Sequence, residues 1–467
     1  MTRQSTNPVV VQKFGGTSVA DPAAIRRLIE IARSARARDG RGPVLVVSAM
    51  SQVTNTLLAV TDEAGASRTE AALALVEQLR RRHLETARTL LADGTSQDGR
   101  EPLAVLTAQI DQQFEELVAV VKALAVLRET SARTRDAIAA MGELLSSRIV
   151  AAALVHRGLP GEWVDARRAI VTDDTHTEAM PLMAETTAAL QTSVLSIVDA
   201  GRIPVIGGFV GATVDGHTTT LGRGGSDYSS AIVGAAIGAA EIQIWTDVDG
   251  MLTADPRVVP RSRLVSRLSF TEAAELAYFG ATVLHPRTMF PAVERNIPVR
   301  ILNSRKAEGE GTLITAVPAP DGDPLTAMAA KSGLTIVNIT SSRMLMAYGF
   351  LRKVFEVFER FETPVDVVTT SEVSVSVTVD DRRHLEGIVD ALSEFAEVSS
   401  EPGMALLCAV GDRLRAEPAI GARVLRVLEE VPLRMISQAA SRRNITVILR
   451  EADLPRAMHR LHEEFFG

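Results

Sequence analysis

The sequence predicts an α/β protein, in which a three-layer αβα domain with a mostly parallel sheet is followed by a smaller α+β region. Strand-like and helical segments alternate up to about residue 305, as in a sheet covered by helices on both faces. Several strand segments, such as PVLVVSAM at 43–50, are continuously apolar and fit strands buried on both faces. From about residue 325 the segments shorten into two similar units, 326–398 and 399–467, which indicates an internal repeat.

Local signals predict the elements of the first region in order. PVVVQK at 8–13 is predicted to be a strand, and Asp21-Pro22 starts a helix that Gly40 ends. Further helices are predicted at roughly 68–92, 104–127 and 133–157, and further core strands at 203–212, 240–250 and 297–303. Ligands of parallel sheets bind at the carboxyl ends of the strands, so polar residues there are the first candidates for a site.

Composition narrows the class of protein. The 467 residues are 46 % hydrophobic and 23 % charged, which fits a globular protein of two or three domains. We predict one domain at 1–305, a linker rich in glycine, proline and charge at 306–325, and then the two smaller units. A net charge of −7 with 4 % aromatic residues argues against a basic face that binds nucleic acid.

The sequence also indicates the cellular location of the protein. No secretory signal and no membrane-spanning apolar run are expected. The single cysteine, Cys408, cannot form an intramolecular disulfide, so a cytoplasmic location is expected.

Only five of the 50 basic residues are lysine, and one of them, Lys13, lies just before a glycine pair. A compact ammonium at that place suits contact with a phosphoryl oxygen.

Two glycine-rich stretches carry the first candidate functional residues. KFGGTS at 13–18 places Gly15 and Gly16 before a helix, where backbone N–H groups can approach an anion closely. The second stretch, LGRGGSD at 221–227, contains Arg223, Ser226 and Asp227. An arginine can bind a carboxylate through two parallel hydrogen bonds, and an aspartate can hold the lysine. The alternative is two tight turns without function, which explains one such loop better than two.

Three further stretches add polar residues. WTDVDGMLTADPR at 245–257 contains Thr246, Asp247, Asp249 and Arg257, SAMSQVTN at 48–55 contains Ser48 and Thr54, and MGELLSSR at 141–148 contains Glu143. Taken singly, each is also explained as a solvated loop or helix face. No GK pair and no GxGxxG occurs, which disfavours a Walker loop and a dinucleotide fold. Together the stretches predict a phosphoryl-transfer site that works by positioning, with a carboxylic acid bound by the arginine.

In order and spacing, these stretches and YFGATVLHPRT resemble the signature motifs of aspartate kinases, over residues 9–465. The resemblance implies the amino acid kinase fold followed by two ACT-type regulatory domains, the first inserted within the second, so that strands near 326–340 belong to the second. It implies a monofunctional enzyme at the first step of the aspartate-derived amino acid pathway. This enzyme would transfer the γ-phosphoryl group of ATP to the side-chain carboxylate of L-aspartate. Mg²⁺ would be carried by ATP, with no protein ligand to it predicted.

The resemblance also implies roles for single residues. Lys13 would contact the transferring phosphoryl group, and Asp227 would orient the lysine. The implied ATP-binding residues are Lys13, Gly15, Gly16, Thr246, Asp247 and Arg257. The implied aspartate-binding residues are Ser48, Thr54, Glu143, Arg223 and Ser226. Two positions depart from the family pattern: Thr282 replaces a lysine that helps to hold ATP, and Leu252 replaces a common tyrosine. We therefore expect weaker ATP binding or a larger role for Arg257.

The second region resembles lysine-sensitive aspartate kinases. The implied allosteric lysine site consists of Met344, Gly349, Phe350, Leu351, Asp366, Thr370, Ser371 and Glu372. Its carboxylates suit a cationic ligand, and ACT units pair across two-fold axes, which implies a homodimer or a dimer of dimers. Alternatives stay open: threonine as co-inhibitor, an ACT unit that only packs, another small-molecule kinase of this fold, or a non-catalytic amino-acid sensor. The pathway served (lysine, threonine, methionine, diaminopimelate or ectoine) also stays open.

Overall fold

The structure, a computed structural model, describes residues 9–92, 100–280, 286–317, 325–341, 348–412, 414, 417–438 and 442–467. The chain divides into two compact units. The first unit is Met1–Met251 with Leu284–Ala316, and the second unit is Leu252–Val283 with Val317–Gly467. Residues 252–283, which we expected in the domain at 1–305, therefore group with the second unit.

The described elements are mostly short strands separated by helices. The strands are β1 (Val10–Phe14), β2 (Val44–Val47), β3 (Gly161–Val164), β4 (Val171–Thr172), β5 (Ile203–Gly207), β6 (Val210–Thr213), β7 (Thr218–Thr220), β8 (Glu241–Thr246), β9 (Arg267–Ser269), β10 (Val299–Asn303), β11 (Thr312–Thr315), β12 (Ala327–Thr340), β13 (Val368–Thr370), β14 (Ser374–Val379), β15 (Glu397–Val410), β16 (Leu433–Gln438) and β17 (Asn444–Arg450). The α-helices are α1 (Pro22–Asp39), α2 (Val53–Gly65), α3 (Thr69–Leu91), α4 (Arg100–Leu127), α5 (Ala132–Ala139), α6 (Met141–His156), α7 (Ala166–Ala169), α8 (Met183–Leu190), α9 (Ser196–Asp199), α10 (Gly225–Ile237), α11 (Phe270–Tyr278), α12 (Phe290–Glu294), α13 (Phe350–Arg360), α14 (Leu385–Ser393), α15 (Pro418–Val427) and α16 (Leu454–Phe466).

The central sheet of the first unit has the order β3-β5-β2-β1-β8-β10-β11. Its strands are parallel, except that β11 runs antiparallel to β10. Lys13 lies opposite Val46 on one neighbouring strand and Ile244 on the other. The predicted linker at 306–325 is therefore partly wrong, because β11 lies within it and pairs into this sheet.

Helices cover both faces of this sheet, as predicted. On one face Phe14 and Trp245 stack with ring centroids 6.0 Å apart and join the core cluster that α1 also contributes to. Successive side chains of a strand point to opposite faces, so Lys13 points to the other face, where α10 packs. Gly234 of α10 approaches so closely that a Cβ there would lie 2.7 Å from Ile242.

The signals that predicted the first helix act as expected. Asp21 caps α1 by accepting a hydrogen bond from the backbone N–H of Ala24 at 2.8 Å, and Pro22 is its first residue. The helix ends at Gly40, whose φ of 67° is left-handed and suits glycine. The start of α1 therefore lies where the sequence placed it, five residues after the glycine pair.

The apolar run 203–212 is not the single strand that we predicted. Its first part is β5 of the central sheet, while its second part, β6, pairs with β4 and β7 in a separate three-stranded sheet. The change of direction occurs at Phe209, whose φ is 64°. This small sheet matters for function, because β7 ends directly before the LGRGGSD stretch.

One helical stretch, Ala132–His156, has the length and hydropathy of a membrane span, and 78 % of its most apolar window is buried inside the protein. Such burial is typical of the core helix of a globular domain. Glu143 lies within it, in the first turn of α6.

The second unit contains a six-stranded antiparallel sheet in the order β13-β14-β12-β15-β17-β16. Two of its strands, β12 and β15, have 14 residues each and pair along their whole length, with an irregularity between Lys331 and Thr335. This irregularity divides the sheet into two halves with separate hydrophobic clusters.

Each half has the βαββαβ arrangement expected of an ACT-type unit. One half uses residues 335–340 of β12 with α13, β13, β14, α14 and residues 397–402 of β15. The other half uses residues 404–410 of β15 with α15, β16, β17, α16 and residues 327–331 of β12. Of the strands near 326–340, only 327–331 therefore lie in the half that contains the C-terminus.

Candidate active site

Lys13 and Asp227 meet at the carboxyl edge of the central sheet. Lys13 is the next-to-last residue of β1 and is 8 % exposed, and its Nζ lies 2.7 Å from Asp227 Oδ1. Asp227 is in the first turn of α10, where the helix dipole favours a negative charge. The structure therefore places the two predicted catalytic residues side by side, 214 positions apart in sequence.

The glycine pair allows close approach at this edge. A Cβ at Gly15 would lie 3.5 Å from Lys13 Nζ, and a Cβ at Gly16 would lie 3.2 Å from the Ala49 carbonyl oxygen. Gly15 has φ −68° and ψ 168°, which any residue can adopt, so space beside the ammonium rather than backbone freedom is what this glycine supplies. Its N–H donates to the carbonyl oxygen of Trp245 at 3.1 Å, so it already has a partner within the protein.

A second glycine pair, which the sequence analysis did not single out, joins the remaining substrate candidates. A Cβ at Gly207 would lie 3.0 Å from the carbonyl oxygen of Glu143, and one at Gly208 would lie 2.8 Å from Ser226 Cα. The first turns of α6 and α10 therefore pack against two adjacent residues, Gly207 and Gly208, at the end of β5. Ser48 joins the same region, because its carbonyl oxygen accepts the hydroxyl of Ser146 at 2.7 Å.

Glu143 is a buried acid without a full set of partners. It is 4 % exposed, and its Oε2 accepts no hydrogen bond in the described part of the chain. Burial raises the pKa of this carboxyl to about 8, although hydrogen bonds from the backbone of Ala49 and of Glu143 itself oppose the rise. A buried, unpaired carboxyl is costly, and an ammonium group of a ligand would relieve that cost.

Arg223 lies in an exposed turn between β7 and α10. Both neighbours, Gly222 and Gly224, have φ 73°, a conformation that suits glycine. Among the described residues the guanidinium has no hydrogen-bond or ion-pair partner, so it is free to bind a carboxylate. Thr54, the other predicted aspartate-binding residue, is half-buried in the first turn of α2.

The loop after β8 carries the predicted nucleotide-binding residues of the first unit. Thr246 ends the strand, and its hydroxyl donates to exposed Asp247 at 3.3 Å. Asp249 accepts hydrogen bonds from Asn303 at 2.5 Å and from Lys306 Nζ at 2.7 Å, and these bonds lower its pKa. Sequence order gave no sign that Lys306 lies beside this loop, because 57 residues separate it from Asp249.

The other predicted nucleotide residues lie elsewhere or are not described. Arg257 belongs to the second unit, where its largely exposed guanidinium pairs with Asp255 at 2.6 Å. Leu252 is half-buried and forms an isolated bridge with Leu264. Thr282 lies outside the described residues. Within the described residues, no group of three acidic, histidine or cysteine side chains is placed to hold a metal ion.

The predicted lysine site falls at two ends of one half of the second unit. Gly349, with φ 80°, precedes α13, which starts with buried Phe350 and exposed Leu351. Near that end lie the exposed residues of the turn after β13, namely Thr370, Ser371 and Glu372. The turn is linked to this end through Ser341, whose N–H donates to the carbonyl oxygen of Val373 and whose hydroxyl donates to that of Phe395. The ring of Phe395 in turn lies 5.9 Å from the ring of Phe350. Met344 lies outside the described residues.

Asp366 lies at the other end of β13 and is already occupied by a lysine of the chain. Lys331 Nζ lies 3.1 Å from both carboxylate oxygens of Asp366 and 2.7 Å from Asp380. Burial lowers the pKa of Lys331, but the hydrogen bonds to the two carboxylates more than offset this effect and raise it. Because Asp366 and Thr370 are four residues apart along an extended segment, about 13 Å separates them.

Comparison with known proteins agrees with this geometry. Residues 8–303 match the amino acid kinase family, and residues 407–465 match the ACT domain. The chain is 38 % identical over 475 residues to aspartokinase 1, chloroplastic, of Arabidopsis thaliana, covering 98 % of this chain and 80 % of that protein. These similarities confirm the predicted family.

Two solved structures of Escherichia coli aspartokinase III are similar over 98 % of this chain and 100 % of theirs. The complex with lysine and aspartate, described as the T-state, has a TM-score of 0.82 and 33 % identity. The complex with aspartate and ADP, described as the R-state, has a TM-score of 0.80 and 32 % identity. The predicted fold class is confirmed as well. The chain belongs to the amino acid kinase family and, within it, to the aspartokinases, which are phosphotransferases with a carboxyl group as acceptor.

Proposed function

We propose that the enzyme transfers the γ-phosphoryl group of ATP to the side-chain carboxylate of L-aspartate, giving ADP and 4-phospho-L-aspartate. The observation that carries this proposal is Glu143, a buried carboxyl whose Oε2 has no hydrogen-bond partner among the described residues, in the same unit as the Lys13–Asp227 pair. A phosphoryl acceptor with an ammonium group would pair with this carboxyl, and aspartate has such a group. The E. coli complexes with aspartate and with ADP support the same substrates.

In this reaction a carboxylate oxygen of aspartate attacks the γ-phosphorus, while the bond from that phosphorus to the β–γ bridging oxygen breaks. The acceptor carboxylate is ionised at neutral pH, so no general base is needed. Lys13 stabilises the negative charge on the transferring group, and Asp227 holds the ammonium in place.

The other residues position the two substrates. Gly15 and Gly16 leave room for the phosphates beside Lys13, and Thr246 and Asp247 bind the nucleotide after β8. Mg²⁺ carried by ATP would neutralise phosphate charge. Aspartate is held by the remaining predicted residues, which are Ser48, Thr54, Glu143, Arg223 and Ser226.

The test is the initial rate of ADP formation with Mg-ATP and L-aspartate, with L-glutamate and no acceptor as controls. Trapping the product with hydroxylamine distinguishes an acyl phosphate from ATP hydrolysis. Turnover that needs aspartate and yields the hydroxamate supports the proposal. Turnover with glutamate alone would indicate another kinase of this fold, and no turnover with either would indicate a non-catalytic sensor.

We further infer that L-lysine inhibits the enzyme by binding the half of the second unit that contains α13. The exposed carboxylate of Glu372 attracts a cationic side chain, and Asp366 would do so if the ligand displaced Lys331. Backbone N–H groups at the start of α13 suit the ligand carboxylate. The complex of the E. coli relative with lysine points the same way. Adding lysine, with threonine as a comparison, to the same assay tests this inference, and unchanged activity and melting temperature would refute it.

We also propose that this half pairs with a second copy of the chain in the cytoplasm. Its edge strand β13 is exposed along all three residues, and Val368 and Val373 are each 40 % exposed beside the turn that follows. Among the described residues this strand edge is unpaired, and such an edge favours pairing with another chain. Light scattering after size exclusion tests the assembly, and a monomer at assay concentrations would refute it.

A further inference from the structure

Asp136 is a buried carboxylate that none of the predicted roles uses. It lies in α5, is 1 % exposed and accepts hydrogen bonds from three groups. The donors are His176 Nδ1 at 2.7 Å, the backbone N–H of Thr177 at 3.0 Å and the hydroxyl of Thr220 at 2.5 Å. Two of these donors lie in a loop after β4, and the third ends β7. The carboxylate thus joins three separate parts of the first unit.

The loop that Asp136 holds, residues 173–180, is strained. Thr177 has φ 73°, a left-handed conformation that is unfavourable for a residue branched at Cβ. The backbone N–H of this same residue donates to both oxygens of Asp136, so the buried charge holds the strained peptide. Strained backbone that is fixed in this way is found at functional sites more often than elsewhere.

The strained loop forms the wall behind the Arg223 turn. The carbonyl oxygen of Thr177 lies 3.2 Å from the position that a Cβ on Gly222 would take, and Gly222 has φ 73°. The N–H of Ala179 also donates to the carbonyl oxygen of Thr220 at 2.9 Å. The turn that carries Arg223 therefore packs against Thr177, the residue whose N–H Asp136 binds.

We propose that Asp136 is a positioning residue for aspartate binding, acting through the 173–180 loop on the turn that carries Arg223. The inference rests on the proposed role of Arg223 in binding a substrate carboxylate. Asp136 itself touches neither substrate. Its charge fixes the loop, and the loop fixes the backbone at Gly222, so that the turn that carries Arg223 keeps one conformation before the substrate arrives.

The test is a double-mutant cycle on the full-length enzyme with Asp136→Asn and Arg223→Ala. Asp136→Asn is expected to raise the KM for aspartate about tenfold, with kcat within about twofold and the KM for ATP unchanged. In the Arg223→Ala background the same change is expected to add nothing, because the group through which it acts is gone. Thr177→Gly in the Asp136→Asn background is expected to restore part of the lost affinity, because glycine tolerates φ 73° without support.

Two further variants separate positioning from loss of fold. Thr220→Val removes one donor to Asp136 while keeping the side-chain shape, and it is expected to raise the aspartate KM with a native melting curve. Asp165→Asn is the matched control, because Asp165 caps the short helix α7 and pairs with Arg167 in the same unit. It is expected to leave the aspartate KM unchanged.

The outcomes are distinguishable. Additive effects in the cycle, or equal losses for Asp136→Asn and Asp165→Asn, would overturn the inference while leaving the proposed function intact. An unchanged aspartate KM in Arg223→Ala would overturn the role of Arg223 and this inference together. Wild-type enzyme without aspartate-dependent turnover would overturn the proposed function, and this inference would fall with it.

Discussion

The pKa of Glu143 predicts how aspartate binding depends on pH. If the ammonium group of aspartate binds the ionised carboxylate, only the ionised fraction of free enzyme is competent. With a pKa of about 8, that fraction is about 1/11 at pH 7 and about 10/11 at pH 9. The KM for aspartate is therefore expected to fall about tenfold between pH 7 and pH 9, while the KM for ATP stays flat.

The raised pKa of Glu143 also makes the free energy of unfolding depend on pH. The pKa of Glu143 is raised in the fold from its usual 4.5, so its protonated form stabilises the native state fully below pH 4.5. That stability is lost as pH rises towards 8, by up to about 5 kcal/mol for this nearly fully buried group. Binding of aspartate is expected to restore the lost stability. The rise in melting temperature on adding aspartate is therefore expected to be larger at pH 8 than at pH 6.

The assay combines kinetics with calorimetry. Glu143→Gln is expected to raise the aspartate KM at pH 9 by about 10- to 100-fold and to abolish its pH dependence. Titration of the wild type in buffers of different ionisation enthalpy is expected to show release of about one proton per aspartate bound at pH 7. Glu272→Gln is the control, since Glu272 is another buried glutamate, which caps α11 in the second unit. A flat wild-type profile, or a slope that survives in Glu143→Gln, would refute the reasoning.

Three other predictions concern lysines. Lys13→Arg is expected to lower kcat about 100- to 1,000-fold with native melting, because guanidinium cannot replace the compact ammonium; activity within tenfold would contradict this. Thr282→Lys is expected to lower the KM for ATP and Lys306→Ala to raise it, each about fivefold. An unchanged KM for ATP in both variants would contradict this prediction. Lys331→Met is expected to lower the lysine concentration for half-inhibition about fivefold, because it frees two carboxylates for the ligand. Weaker inhibition would mean instead that Lys331 supports the site.

Local sequence predicted the parts of the site that depend on neighbouring residues. The strand before Lys13, the cap at Asp21 and the glycine turn at Arg223 follow from backbone and side-chain preferences within a few positions. The pairing of Lys13 with Asp227 was predicted from the chemistry of the two motifs and from the family resemblance, because β7, which precedes Asp227, belongs to the separate small sheet.

The parts that were missed depend on contacts between distant residues. In the sequence Gly207 and Gly208 look like part of an ordinary strand. The need for glycine there is explained only by the close approach of two helices. Asp136 looks like one more polar residue on a helix, yet its partners lie about 40 and 84 positions away. Asp366 was assigned to a ligand from its motif, and the spacing gave no hint that Lys331 occupies it.

The two long strands of the second unit limit how that unit can be divided by genetic engineering. A fragment that starts at residue 399 lacks 327–331, the strand that borders 406–410 in its own half. It would expose an unpaired edge along buried residues such as Leu406 and Cys408 and is prone to aggregate. A circularly permuted or split version of the regulatory half must therefore keep β12 and β15 together, and exchange of single halves between relatives requires one cut near Gly333 in β12 and one near Gly403 in β15.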